Sequence, residues 1–258
     1  MELNKLKLLT MKPINIGCCN VHHITVDGID EATEEVYRQY LSILLFDKDQ
    51  LDSENTFNSD ITEFDITLMN AVHDKDFCEN IISALEFFLK DKVNFINDNN
   101  LTFFYLGDIN AINLLTEKDY TEFISTIDFD KVLSADIYFK IRDILRQLNC
   151  IEKNTKRKAG NKIAEDFINE MNALKEKYKN IVDKKKETVT IADLVSAITW
   201  RGNRSYDEVL GFTVYRLYDA LGQINTLDNY TFMMNGIYAG TIDTKKEKST
   251  IEKLNWIK

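Results

Sequence analysis

TIADLVSAITWRGNRSYDEVLGFTVYRLYDALG, residues Thr190 to Gly222, decides how the chain is read. Thr190 stands three residues before Asp193, and Ser205 three before Glu208. Both pairs have the form of a capping box, in which the hydroxyl accepts an orphan N–H and the carboxylate reaches back to the cap. Ile191, Leu194, Val195 and Ile198 make an apolar stripe after the first cap. Leu210, Val214, Leu217 and Leu221 follow the second at spacings of four, three and four, one face of a helix. Arg201-Gly202-Asn203 reads as the turn between them, with Gly202 or Asn203 able to take a positive φ. The stretch predicts a C-terminal helical hairpin.

The rest of the composition agrees with helix. Pro13 is the single proline among 258 residues, and glycines number nine. Hydrophobic residues at 44% suffice for a sizeable core. The net charge of −10 speaks against general nucleic-acid binding, which needs a surplus of cations. The charge is uneven: Lys153 to Lys186 holds eleven Lys or Arg against five Asp or Glu. The start, MELNKLKLLTMKP, has no apolar leader core, and no apolar run approaches the roughly 20 residues of a membrane span. Cytosolic placement follows as an expectation.

Outward from the hairpin, residues 1 to 26 alternate loosely and predict short strands, with Asp27-Gly28 as a turn. Asp30 to Phe46 predicts one helix with Val36, Tyr37, Tyr40, Leu41, Leu44 and Leu45 inward. Asp47 to Asp60 reads as a loop. A short helix spans Phe64 to Val72, and Asp74 caps the next, carrying Phe77, Ile81, Ile82, Leu85, Phe88 and Leu89. Val93–Ile96 and Leu101–Leu106 flank Asn97–Asn100 as a β-hairpin. Two strands alone are marginal, and the N-terminal segment is the expected partner. Thr116 and Asp119 form another capping box, and Ala135 to Leu148 another helix.

Cys150 to Gly160 reads as a linker. Beyond it Ile163, Phe167, Met171, Leu174, Tyr178 and Ile181 recur at near-heptad spacing on a charged helix. Such a seam either packs on its own domain or is offered to another helical chain. Tyr230 to Ala239 predicts one more helix or turn. The tail is polar until Leu254, Trp256 and Ile257, which either dock back or anchor a partner. The fold class is therefore mainly α with a small N-terminal β element. It divides into an α+β portion over 1–150, a basic linker and long helix over 151–187, and a helical portion over 188–258.

Catalytic signatures are missing: no Walker A, GxGxxG, GxSxG or HExxH occurs. His73, before the Asp74 cap, belongs to no constellation. Cys18, Cys19, His22 and His23 are close enough in sequence for a metal site to be conceivable, but the cysteines read first as free, half-buried thiols of a reducing compartment. The expectation is a protein that is not an enzyme and takes no cofactor.

Several ordered pieces resemble a known family. These are KPINIGCCNVHHITVDGIDEATEEVYRQYLSILLFDKDQL with Tyr37, Tyr40 and Leu41 at its core, FCENIISALEFFLKDKVNF (77–95) and NKIAEDFINEMNALKEKYKN (161–180). TIADLVSAI, VYRLYDALGQIN, GIYAG and the ending LNWIK complete the set. In order and spacing they resemble tail assembly chaperones, encoded beside the tape-measure protein in bacteriophages of low-GC Gram-positive hosts. The Cys18-Cys19 and His22-His23 pairs depart from the family pattern. The resemblance implies a protein of the host cytoplasm that binds the helical tape-measure protein and keeps it soluble during tail assembly. Partner-binding candidates are Phe167, Met171, Leu174, Tyr178, Leu254, Trp256 and Ile257. The alternatives are a structural component of the tail tip or baseplate, retained in the virion tail, and a small phage regulatory or interaction protein.

Overall fold

The computed structural model describes residues 2–48, 61–98, 101–107, 128–153 and 189–242. It is mainly helical, with two small antiparallel sheets among the described residues. The front of the chain is more helical than its apolar alternation predicts. Lys5–Leu9 is a one-turn helix, α1, begun by Asn4, whose side chain accepts the Lys7 N–H. The expected strands reduce to β1 (Ile14–Asn15) and β2 (Asn20–Val21), with Ile14 opposite Val21.

Asp27-Gly28 is not a turn but lies inside α2 (Val26–Ala32), which Thr25 caps through the Gly28 N–H. One helix from Asp30 to Phe46 was the expectation; there are two. Thr33, at φ 74°, ends α2 and caps α3 (Glu34–Leu45). The break has a local cause: the Thr33 hydroxyl accepts the Val36 N–H and offers the backbone an alternative partner to the continuing helix. It aims Tyr37 and Leu44 inward, where both are buried.

Thr62 begins α4 (Glu63–His73) with a complete capping box to Asp65, and Asp74 caps α5 (Lys75–Leu89) through the Phe77 N–H. The hairpin of β3 (Val93–Asp98) and β4 (Leu101–Leu106) forms as expected, with β3 running on through Asn97 and Asp98, which the sequence places in the turn; Phe95 faces Phe104 with ring centroids 4.9 Å apart. Its support is not the N-terminal segment, whose strands β1 and β2 pair with each other. The hairpin rests on α5, and Leu133 donates its N–H to the Phe104 carbonyl at 2.9 Å. A helix that buries Ile81, Ala84, Leu85, Phe88 and Leu89 supplies more apolar area than another short strand could.

Helix α6 (Ala135–Leu148), capped by Ser134, closes this core with Tyr138, Ile141, Ile144, Leu145 and Leu148. It also carries Arg142, only 1% exposed. The guanidinium donates to the Phe46 carbonyl, lies 3.9 Å from Asp47 and 3.7 Å from Glu63, and stacks near the rings of Phe46, Tyr138 and Phe139. Arg146 meets the same Asp47 at 2.6 Å. Desolvation works against the Arg142 charge, and the surrounding carboxylates and Tyr138 ring offset it.

The C-terminal stretch forms α7 (Ile191–Gly202), α8 (Tyr206–Leu210) and α9 (Val214–Tyr238). Both expected capping boxes are present, and Asn203 takes the left-handed conformation after α7. The second arm differs from the expectation. Gly211-Phe212-Thr213 interrupts it, Thr213 caps a new helix through the Arg216 N–H, and that helix runs past Gly222 and Tyr230 to Tyr238. The interruption is held from outside. Thr213 bridges Thr25 in β fashion, and Val26 donates its N–H to the Phe212 carbonyl at 2.8 Å. Backbone groups satisfied across to α2 are not available for continuing α8.

Two apolar clusters result. The larger joins α3, α5, α6 and the hairpin; the smaller gathers Leu194, Val195, Ile198, Val209 and Leu217. The boundary is interlocked: Val26 belongs to the smaller cluster and Val214 to the larger.

Candidate partner-binding face

Helix α9 begins as a core helix and ends as a surface one. Val214 and Leu217 are buried, and no residue beyond them is. The end of α7 meets it near its middle, where Gly202 lies against Ile224 and Arg201 donates through Nε to Asp228 at 2.9 Å. This ion pair holds the Asp228 carboxyl below its usual range and the Arg201 guanidinium above its own, chiefly through the hydrogen bond.

Between Gly222 and Tyr238, Asp228 is the only charged residue. An exposed helix of ordinary kind carries charge along its solvent side. Here the outer half carries Leu227, Tyr230, Met234, Ile237 and Tyr238 at spacings of three and four, one stripe, with Tyr238 80% exposed. Phe232, 69% exposed, stands on a different side together with Gly236, four residues on. Trp200 on α7 is 82% exposed. Uncharged, aromatic and methionine-bearing surface of this kind is suited to another apolar helix rather than to water. The sequence carries the signal in the missing charges, not in an amphipathic period.

The end of α9 is built tightly. Thr241 and Ile242 both donate their N–H groups to the Gly236 carbonyl, at 2.9 and 3.2 Å, while Gly240 takes φ +68°. A Cβ at Gly236 would stand 2.4 Å from Ile242 Cδ1. Ile242 thus fills the space a Cβ at Gly236 would take, and a larger residue there would have to displace the Ile242 side chain.

A second polar site lies at the seam between the clusters. His23, Tyr37, Asn149, Thr213 and Val214 line a cavity of about 10 Å³, room for a single water. Tyr37 donates its hydroxyl to the Asn149 side-chain carbonyl there. Both His23 ring nitrogens are buried without a hydrogen-bond partner. Burial lowers its pKa, helped by the Arg216 guanidinium and by His22; the nearby Lys12 backbone opposes the shift without hydrogen-bonding geometry to either nitrogen. This is too small for an organic ligand.

Cys18 and Cys19 lie beside each other, Sγ to Sγ 3.8 Å, and burial pushes the Cys19 thiol up to about 12. Among the described residues no three His, Cys, Asp or Glu side chains gather where they could hold a metal ion, so Cys18, Cys19, His22 and His23 do not converge as ligands. Nor is any described helix long and apolar enough to cross a membrane. The expected partner-binding residues Phe167, Met171, Leu174, Tyr178, Leu254, Trp256 and Ile257 lie outside the described residues, as do the linker beyond Lys153, the Thr116–Asp119 box and most of the Asp47–Asp60 loop.

Residues 183–258 match a family model described as the YomV second domain, a phage-derived family, which points to a phage protein. No curated protein and no solved structure matches the chain.

Proposed function

We propose that this chain is a phage tail assembly chaperone, acting in the host cytoplasm, that holds the helical tape-measure protein before the tail tube polymerises. The reading rests on the phage-derived family matched by residues 183–258 and on the sequence resemblance described above. The observation that carries it is the Leu227–Tyr230–Met234–Tyr238 stripe of α9, exposed or half-exposed and nearly free of charge. A long helical client that would otherwise expose apolar stripes finds in it a helix-against-helix partner. The acidic charge of −10 keeps a protein with such a surface soluble and favours encounter with basic segments of the client. The near-heptad seam of Phe167, Met171, Leu174 and Tyr178 is proposed as a companion contact.

Co-expression tests the proposal. The wild-type chain raises the soluble yield of the tape-measure protein, and Leu227→Asp with Met234→Asp abolishes that gain while leaving the thermal unfolding of the isolated protein in place. An unchanged client yield with the wild type overturns the proposal. Stoichiometric recovery of the chain from purified virions would instead establish a structural component of the tail.

A further inference from the structure

Residues 22–26 pass between the two apolar clusters and are anchored at each end. The His22 N–H donates to the Phe88 carbonyl at 2.8 Å, which ties this end to the larger cluster. The Val26 N–H donates to the Phe212 carbonyl at 2.8 Å, and Thr25 bridges Thr213, which ties the other end to the smaller. His23 and Ile24 are the span between the anchors. The cavity beside the His23 ring accordingly has two walls. Tyr37, Phe88, Leu148 and Asn149 stand on α3, α5 and the end of α6, whereas Thr213 and Val214 stand at the start of α9.

This setting has no provision for a charged ring. Neither nitrogen has a hydrogen-bond partner, and among the described residues no carboxylate lines the cavity. The titratable and charged groups around the ring are His22 on its own segment, Arg216 on α9 and the Tyr37 phenol on α3; Lys12 comes near through its backbone, and α5 and α6 bring only neutral side chains. A cavity of about 10 Å³ admits one water, too little to hydrate an imidazolium.

We infer that the seam is a proton-operated joint: protonation of His23 parts the start of α9 from the end of α6, with His23 and Ile24 as the pivot, while each cluster keeps its own core. Parting hydrates the ring and leaves both anchors intact, since Phe88 stays with His22, and Phe212 and Thr213 stay with Val26 and Thr25. The side-chain ties that cross the seam, Lys5 to Asp219 at 2.6 Å and Arg216 to the Leu9 carbonyl at 2.8 Å, are partly exposed and open to replacement by water. Leu148 and Val214, covered at neutral pH, become an apolar surface. Burial, then Arg216 and His22, hold the closed ring below the usual pKa, and the hydrated ring titrates near 6.5. The seam is therefore closed above about pH 6.5, and each pH unit below multiplies the open population by up to about ten until the closed ring also takes its proton.

Nuclear Overhauser spectra of the full chain between about pH 7 and pH 5 test the joint, with the His23 ring shift reporting its titration. Contacts between the Val214 and Leu148 methyls, on opposite walls of the cavity, fade as the ring titrates and return on neutralisation. Contacts between the Tyr37 and Phe88 rings, 6.0 Å apart within the larger cluster, persist. His23→Phe, which cannot be charged, keeps both sets throughout; the wild-type titration decides alone if that variant does not fold. Three results overturn the inference: His23 titrates with the Val214–Leu148 contacts intact, these contacts fade while the ring is neutral or in His23→Phe, or the Tyr37–Phe88 contacts vanish with them. The last would be acid unfolding of the whole chain. None of these readings involves the tape-measure protein, so failure here is separable from failure of the chaperone reading.

Discussion

The Tyr37 hydroxyl donates to the side-chain carbonyl of Asn149, 112 residues further along the chain, and both residues are buried. Asn149 in turn donates to the Leu145 carbonyl at 2.8 Å, so one amide closes the end of α6 and anchors α3 to it. The Tyr37 ring lies against Phe87 and Phe88, with centroids 6.1 and 6.0 Å away. Burial raises the phenol pKa and keeps it a donor through the physiological range. Tyr37→Phe keeps the ring contacts and strands the Asn149 oxygen. Urea unfolding should show a loss of about 1–3 kcal/mol at unchanged m-value.

His23 supplies a pH dependence. Its pKa in the fold lies below the unfolded value, so the unfolded chain takes up the proton first. Stability from this site is complete above about pH 6.5 and falls as the pH drops through that value and on toward the folded pKa. The charges of Arg216 and His22 work against protonation of the ring, after burial itself. His23→Leu should flatten the decline between about pH 7 and pH 5 relative to wild type, measured as the difference in melting temperature at each pH. Parallel curves would show that the decline comes from elsewhere.

Asp47 serves two buried cations, Arg142 and Arg146. Asp47→Asn leaves both guanidiniums with less compensation. Because Asp47 is itself 19% exposed, the expected cost is about 2–3 kcal/mol, below the roughly 3–5 kcal/mol of breaking a fully buried pair. Arg142→Met, which replaces the buried charge with apolar volume, should cost less than Asp47→Asn in the same denaturation assay.

Thr213→Val keeps the shape of a buried side chain and deletes the α9 cap. A loss of about 0.5–2 kcal/mol is expected. Thr213 also bridges Thr25, so the change should weaken the coupling between the two clusters. Near-ultraviolet circular dichroism, which reports mainly on the larger cluster's aromatics, and the emission of Trp200 in a chain carrying Trp256→Phe should then unfold at different denaturant concentrations. Coincident transitions would count against that weakening.

What could be read from residues alone was whatever has a local cause. Side-chain caps are local, so Thr190, Ser205 and Asp74 marked helix starts correctly. The 93–106 hairpin and the apolar faces of α5 and α6 followed from spacing for the same reason. The misses came from tertiary bonds. Nothing near Gly211 announces that Phe212 and Thr213 will pair with Val26 and Thr25, and without that pairing one helix from Ser205 is the better guess. Thr33 was passed over because the acidic run Asp30, Glu31, Glu34 and Glu35 around it reads as the first turns of a single helix. The exposed half of α9 was underestimated because a search for amphipathic period does not register missing charge.

The interlock of Val26 with Val214 separates two meanings of the word domain. Residues 183–258 are matched as one unit by a family model. They are not on that account a unit of folding: the small cluster that organises them takes Val26 from the far end of the gene. An exchange between phage genomes with a breakpoint near residue 183 would carry α7 to α9 into a new chain without the valine they close upon. Such exchanges should therefore survive only between chains whose front segments offer an equivalent apolar residue and an extended Thr25–Val26 backbone. Residue 26, not a residue near the breakpoint, becomes the position at which incompatible hybrids could be repaired.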